Sequence, residues 1–215
     1  ISNYDVTQKG YTGANINAVT KSGTNDFKGS VYYVYRDENG IGKFYNRGTD
    51  TYSDFAPFEE TTKGMTFGGP LIEDKLFFFA AYEELKSSRS TPSFGPVGSG
   101  LTNVGIAQST VDGAASIASG TWGFDVGNFD ATAAELDVTD ALIKLDANLG
   151  ESHRVSLRWS KTEQSDPIYP GFGIRNLSLS SHWYTQGKSI ESIVGQWFAD
   201  WTENFSTEVK VSFRD

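Results

Sequence analysis

Hydrophobic and polar side chains alternate residue by residue in seven stretches of this chain: Phe27–Asp37, Thr62–Leu71, Leu76–Ser87, Val138–Leu149, Arg154–Gln164, Ser189–Trp201 and Ser206–Arg214. A period of two sends successive side chains to opposite faces of a strand, so each stretch predicts a β-strand with two chemistries. In the fourth, Ala141, Ile143, Leu145, Ala147 and Leu149 oppose Asp140, Lys144, Asp146 and Asn148. In the fifth, Val155, Leu157 and Trp159 oppose Arg154, Ser156, Arg158 and Ser160, and in the last Val209, Val211 and Phe213 oppose Glu208, Lys210, Ser212 and Arg214. Most stretches are about as long as a tilted strand needs to cross a bilayer, roughly 9–11 residues.

A soluble sheet lying on a core shows the same alternation, so alternation alone does not separate water from membrane. The links between stretches do. Those at 73–75, 150–153 and 202–205 are short, those at 38–61, 88–137 and 165–188 are long, and the two kinds alternate strictly. An up-and-down barrel puts all odd links on one side and all even links on the other, so the asymmetry predicts short turns at one membrane surface and long loops at the other. Tyr35, Trp159, Trp197 and Trp201 lie near strand ends, where they suit either a headgroup girdle or a packed core. The expected fold class is all-β: antiparallel up-and-down strands forming an incomplete arc of a transmembrane β-barrel.

Within the longest link, 90–137 holds five acids and neither Lys nor Arg. Val111, Ala114, Ala115 and Ala118 recur at helical spacing, which predicts a short helix over Gln108–Ser119 with Gly120 as its cap.

Composition agrees with strands joined by turns, with 15 Phe, 10 Tyr, 5 Trp and 23 Gly in 215 residues. A net charge of −9 disfavours nucleic acid as a partner, because a polyanion is repelled over most of the surface. The absence of Cys removes disulfides, thiolate zinc sites and cysteine nucleophiles. No apolar run reaches the roughly 18 residues that a spanning helix needs, and the N-terminal residues lack a basic-then-apolar secretion pattern.

Chemistry-bearing motifs are scarce. His153 and His182 have no Cys to join them, and neither a zinc-protease, a hydrolase-elbow nor a phosphate-loop pattern occurs. Asp125, Asn128 and Asp130 offer oxygen ligands without completing a calcium loop. Glu59–Glu60 and Glu83–Glu84 are adjacent in strands and therefore point to opposite faces. Asn176-Leu-Ser and Asn204-Phe-Ser match the glycosylation pattern and are read as chance matches. No metal, cofactor or enzymatic activity is expected.

The stretch Gly13-Ala14-Asn15-Ile16-Asn17-Ala18-Val19-Thr20-Lys21-Ser22-Gly23-Thr24-Asn25, followed by Phe27 and Gly29-Ser30, resembles the last plug strand and first barrel strand of TonB-dependent outer-membrane transporters, in particular the Oar-like branch. Further wording is similar in the same order: Phe67-Gly68-Gly69-Pro70-Leu71-Ile72, Asp74-Lys75-Leu76-Phe77-Phe78-Phe79 with Tyr82-Glu83, Trp122-Gly123-Phe124-Asp125, Ala141 to Asp146, and His153 to Arg158. Ala14 departs from it, standing where the family commonly has a second Gly.

The resemblance implies that residues 1–26 end a plug domain and that 27–215 supply about the first seven strands of the barrel. Its energy-coupling box would precede Ile1 and more strands would follow Asp215, so a fragment unable to transport alone is expected. The implied partners are the TonB complex, outer-membrane lipid and a transported ligand of unspecified class, in the bacterial outer membrane. Asn17, Thr20, Lys21, Ser22 and Gly23 mark the plug–barrel junction, and Lys144, Asp146, Arg154, Arg158 and Lys210 are expected to face the lumen. Leu76 to Tyr82, apolar on both faces, is expected to meet lipid on one side and the plug or a loop on the other. Trp122 and Phe124 are expected to form a small loop core that pins the helix. With Asp125 they are also the candidate ligand-capturing residues. The first strand and Ser206–Arg214 would expose open edges. The competing reading is a soluble or surface-attached β-sandwich for binding or adhesion, in which the same alternation packs two sheets.

Overall fold

The structure is a computed structural model of the 215-residue chain and describes residues 19–91, 93–131 and 134–215. Its elements in chain order are β1 (Lys28–Asp37), β2 (Phe44–Asn46), β3 (Thr51–Ser53), β4 (Phe58–Ile72), β5 (Leu76–Arg89), β6 (Phe94–Val97), β7 (Thr102–Ala107), α1 (Gln108–Trp122), β8 (Ala134–Asn148), β9 (His153–Ile168), β10 (Tyr184–Thr202) and β11 (Phe205–Arg214). Seven of them form one sheet in the order β1-β4-β5-β8-β9-β10-β11, each antiparallel to its neighbours. Sheet order follows chain order, as an up-and-down meander requires. The pairs β2–β3 and β6–β7 are two-stranded sheets within the long links.

Register sorts the side chains into rows. One row runs Phe67, Ala80, Ile143, Trp159, Ile193, Phe213. The next toward the short links runs Phe78, Leu145, Leu157, Gly195, Val211, and the one after it Leu76, Ala147, Val155, Trp197, Val209. These rows are apolar across the sheet, yet they are open: Ile143 is 50% exposed, Leu157 47%, Val211 51% and Phe213 70%. The hydrophobic side chains buried among the described residues are Ala118, Ala131, Val194 and Ala199, too few and too small to make a dry core. A contiguous apolar surface of this extent is stable only against an apolar solvent. The architecture is an open arc of a transmembrane β-barrel wall, and among the described residues the seven wall strands form one layer rather than a sandwich.

All seven expected strands are present, but four of them outrun the bounds read from alternation by four residues or more: β4 begins at Phe58, β8 at Ala134 and β10 at Tyr184, and β9 runs on to Ile168. The apolar rows stop at Lys63, Glu84, Lys161 and Glu191, and beyond them Thr61, Lys86, Asp137 and Ser165 continue the same face in polar form. In β4, β9 and β10 the period of two fades there, and in β8 it changes phase, with Ala134, Leu136 and Val138 apolar on the face opposite Asp137, while the backbone ladder continues.

The helix is longer than expected. It runs through Gly120 to Trp122, and Gly123 at φ 63° ends it in the left-handed region. The amide of Gly123 donates to Ser119 O (3.0 Å) and that of Phe124 to Ala118 O (3.1 Å), which is the two-bond close a C-terminal glycine permits.

Ile143→Arg or Val211→Arg should sharply lower the fraction of the complete protein that assembles in the outer membrane, at a cost of about 2–4 kcal/mol per buried charge. Lys144→Ala and Lys210→Ala should leave assembly near normal. Heat-modifiable mobility of membrane extracts measures both, and equal effects would refute the face assignment.

Candidate functional site: the polar face and its docked segment

Opposite the apolar rows, the same register builds a polar face. Lys144 pairs with Arg158, Asp146 with Ser156, Asn148 with Arg154, and Lys210 with Gln196. All five charged residues singled out in the sequence therefore share one face. Lys144 and Asp146 form an ion pair at 3.4 Å with their side chains 13% and 15% exposed, far more sheltered than Ile143 and Leu145 between which they alternate. Arg154 lies over the Phe198 ring at 4.9 Å. Farther from the short links, Tyr32 donates to Glu83 and Thr162 to Asp140, and Glu83 faces Asp140 across the β5–β8 ladder. Two carboxylates directly opposite repel, and a hydroxyl on each eases that, Thr162 from neighbouring β9 and Tyr32 from β1 by reaching across Gly64 of β4.

The segment preceding β1 lies on this face. Lys144 Nζ reaches Ser22 Oγ at 2.7 Å. Gly23 rests on the backbone of β4 and β5: a Cβ there would collide with Phe78 O and stand 2.8 Å from Gly69 O, so only glycine allows the approach. Asn25 then takes hold of the β4–β5 turn with both ends of its amide, donating to Asp74 Oδ1 (2.6 Å) and accepting from Asp74 N–H (2.9 Å). Asp74 sits at φ 62° in that turn, and Asn148 Nδ2 donates to its carbonyl at 3.0 Å. Lys21 and Thr24 join Phe79 in lining the hollow beneath the segment, and Thr20 is half-buried. Asn17 lies outside the described residues. In the Leu76 to Tyr82 stretch, Phe78, Ala80 and Tyr82 fall on the apolar face, while Phe79 meets the docked segment.

Sequence reading assigned no role to Asn25, Tyr32, Glu83 or Asp74. Asn25 stands inside the quoted motif, but its partner is 49 residues away and is supplied only by the register.

At the other end of the strands, Trp122 and Phe124 correct an expectation. They are 73% and 53% exposed and form no loop core. The rings that do pack are Phe94, Tyr169, Phe172 and Trp183, with centroids 5.0–5.4 Å apart for Tyr169–Trp183, Phe94–Phe172 and Phe172–Trp183. Burial among them pushes the Tyr169 phenol above its ordinary pKa. Ser180 N–H donates to Asn128 O (2.7 Å) and Asn128 N–H to Ser180 Oγ (3.0 Å), so the two long links are clasped together. Asp125 Oδ1 accepts from Gly127 N–H and Asn128 Oδ1 from Asp130 N–H, turning these oxygens onto the chain itself rather than outward as a cation cage.

Gly23→Ala should lift the segment off the wall and accelerate hydrogen exchange at the Asp74 amide by about tenfold, as should Asn25→Ala, the loss of one hydrogen bond being worth about 1 kcal/mol or more. Residue-resolved exchange on the complete protein measures this, and unchanged Asp74 exchange in both variants would refute the docking.

Residues 19–112 match the family model for the outer membrane beta barrel domain. The TonB-dependent transporter Oar of Myxococcus xanthus is 36% identical over 83 residues, covering 33% of this chain and 7% of that relative. The chain thus corresponds to a small part of that relative's length. No solved structure matches it. The single-layer sheet, its apolar outer rows and these two likenesses together support an outer-membrane barrel protein, and the chain resides in the bacterial outer membrane.

Proposed function

We propose that this chain is the plug–barrel junction and first wall strands of a TonB-dependent receptor of the Oar-like branch, which takes up a ligand across the outer membrane without catalysing a reaction. Residues 1–26 end the plug, and 27–215 form the wall. The observation that carries this reading is the segment 22–25 lying on the polar face, where a plug leading into the first strand has to lie. On this reading Lys144, Asp146, Arg154, Arg158 and Lys210 line a hydrated lumen. Asp146 Oδ2 and Arg158 Nε are buried and without a partner among the described residues, as suits a surface that a plug covers. The long links face outward from the cell, and Trp122 and Phe124, exposed beside Asp125, are its ligand-capturing residues. TonB acts through residues before the wall, and nucleic acid is not a partner.

The test is uptake by the complete protein in cells with and without a working TonB complex, using labelled siderophore, cobalamin, glycan and peptide cargoes. TonB-dependent accumulation of one class is expected. Trp122→Ala with Phe124→Ala should reduce surface binding of that cargo about tenfold with assembly unchanged, each exposed ring contributing of the order of 1 kcal/mol. Absence of TonB-dependent accumulation across the panel would refute the reading.

A further inference from the structure

We propose that the loop-side mouth of the wall, at the junction of β1, β4 and β5, holds a binding site for a small anion carried on an apolar or aromatic body. The site is separate from the Trp122 loop and does not depend on the uptake reading. Arg36 faces Glu60 in the β1–β4 register and Arg89 faces Phe58 at the end of β5, so both guanidiniums rise on the polar face beside one carboxylate. Glu60 Oε1 is 2.9 Å from Arg36 Nη2, while Oε2 is 3.8 Å from Arg89 Nη2, a loose pair. Glu60 is 19% exposed, whereas the two arginine side chains are 56% and 67% exposed. Each guanidinium has five N–H groups, so one shared carboxylate leaves donors on both turned toward solvent.

The floor between them is apolar. Ile41, Phe55, Pro57 and Phe58 line a cavity of about 370 Å³, within the range of about 300–1,000 Å³ typical of small-molecule sites. Its backbone is held: Phe58 N–H donates to Glu38 Oε2 (3.1 Å), Ser90 N–H to Pro57 O (3.1 Å), and the Phe55 ring meets Phe44 edge-on at 6.5 Å. The Arg36 guanidinium stands over the Phe58 ring at 5.9 Å, which orients it.

Sign of charge selects the occupant. Of the acids nearby, Glu38 turns to the Phe58 amide, Asp37 to the Gly40 amide and Glu60 lies beneath the arginines, while Glu59 alternates to the opposite face and exposed Asp54 is paired with Lys43 at 3.3 Å, so the charge offered over the floor is that of the two guanidiniums. A planar fork of N–H groups fits a carboxylate or sulfonate through paired hydrogen bonds, and the apolar floor takes a ring.

Calorimetry on the complete protein in nanodiscs at low ionic strength tests this with three probes of one shape: 2-naphthoate, 2-naphthamide and 2-naphthylmethylamine. Naphthoate is expected to bind about tenfold more tightly than naphthamide, with the amine weakest. Arg89→Gln and Arg36→Gln should each remove the preference for naphthoate, Glu60→Gln should strengthen it, and Phe55→Ala should weaken naphthoate and naphthamide alike. The site would be overturned by equal affinity for the acid and the amide, by tightest binding of the amine, by a naphthoate preference that survives both arginine substitutions, or by no binding of naphthoate at millimolar concentration. Heat-modifiable mobility confirms that each variant keeps its wall, and two arginine variants leave the test intact if one misassembles.

Discussion

In hydrocarbon no water is present to satisfy a backbone amide or carbonyl, so the whole structure depends on the ladder of interstrand hydrogen bonds, whose register shifts in the wall fall at the short-link ends, between Pro70 and Ile72 and between Asp200 and Thr202. That ladder makes register absolute. A slip of β9 by one residue against β8 would send Arg154 and Arg158 into the lipid and Leu157 and Trp159 to the opposite face, reversing both chemistries of that strand at once. The apolar rows crossing the sheet from Phe67 to Phe213 are what such a constraint leaves behind. They fit with no core at all, because the solvent outside replaces one.

Separation of faces by a single backbone layer is also what makes the polar face usable. Lys144 and Asp146 sit in the same strand as Ile143 and Leu145, and the pleat alone keeps them apart. A charge that would be prohibitive one residue away is here a docking point for Ser22. Gly23 and Asn25 work in the same register: the missing side chain of one allows contact with the β4–β5 backbone, and the amide of the other closes on the turn that joins those strands. Segment and turn thus fix one another, although neither is regular secondary structure.

The parts legible in the sequence are those in which a side chain's environment repeats with the backbone period. Ile143 and Lys144 declare opposite faces because lipid and water differ, and all seven wall strands were found on that signal. Where the outward face turns polar at Thr61, Lys86, Asp137 and Ser165, the signal fades or, in β8, shifts to Ala134, Leu136 and Val138 on the other face, and β4, β8, β9 and β10 outrun their expected ends. The helix was visible through Ala114, Ala115 and Ala118, but its end was misplaced by three residues because Gly120 and Gly123 look alike until backbone angles are known. The Trp122–Phe124 pair was misjudged for a related reason, since composition does not say which aromatic residues of two loops will meet. Asn25 with Asp74, and Phe94 with Phe172, are contacts between distant segments, and no local pattern carries them.

Above the lipid band the wall is an ordinary sheet in water, and a different force must hold it. Of the ion pairs there, Lys86–Glu84 at 3.2 Å and Lys161–Glu163 at 2.7 Å link residues of the same strand and join nothing across the ladder, while Arg36–Glu60 at 2.9 Å and the looser Arg89–Glu60 at 3.8 Å tie β1 and β5 to β4, and partly exposed pairs contribute little. The ring cluster acts at β9 and β10, beyond the reach of those cross-strand pairs. Tyr169 directly follows β9 and Trp183 directly precedes β10, so their contact closes the tops of two neighbouring strands, and Phe94 adds the link that follows β5. Buried aromatic surface is worth far more than a screened surface charge pair. The wall therefore changes its means of cohesion along its height, from lipid-facing rows below to a packed aromatic clasp above. Trp122 and Phe124 take no part in that clasp and stand 73% and 53% exposed outside it.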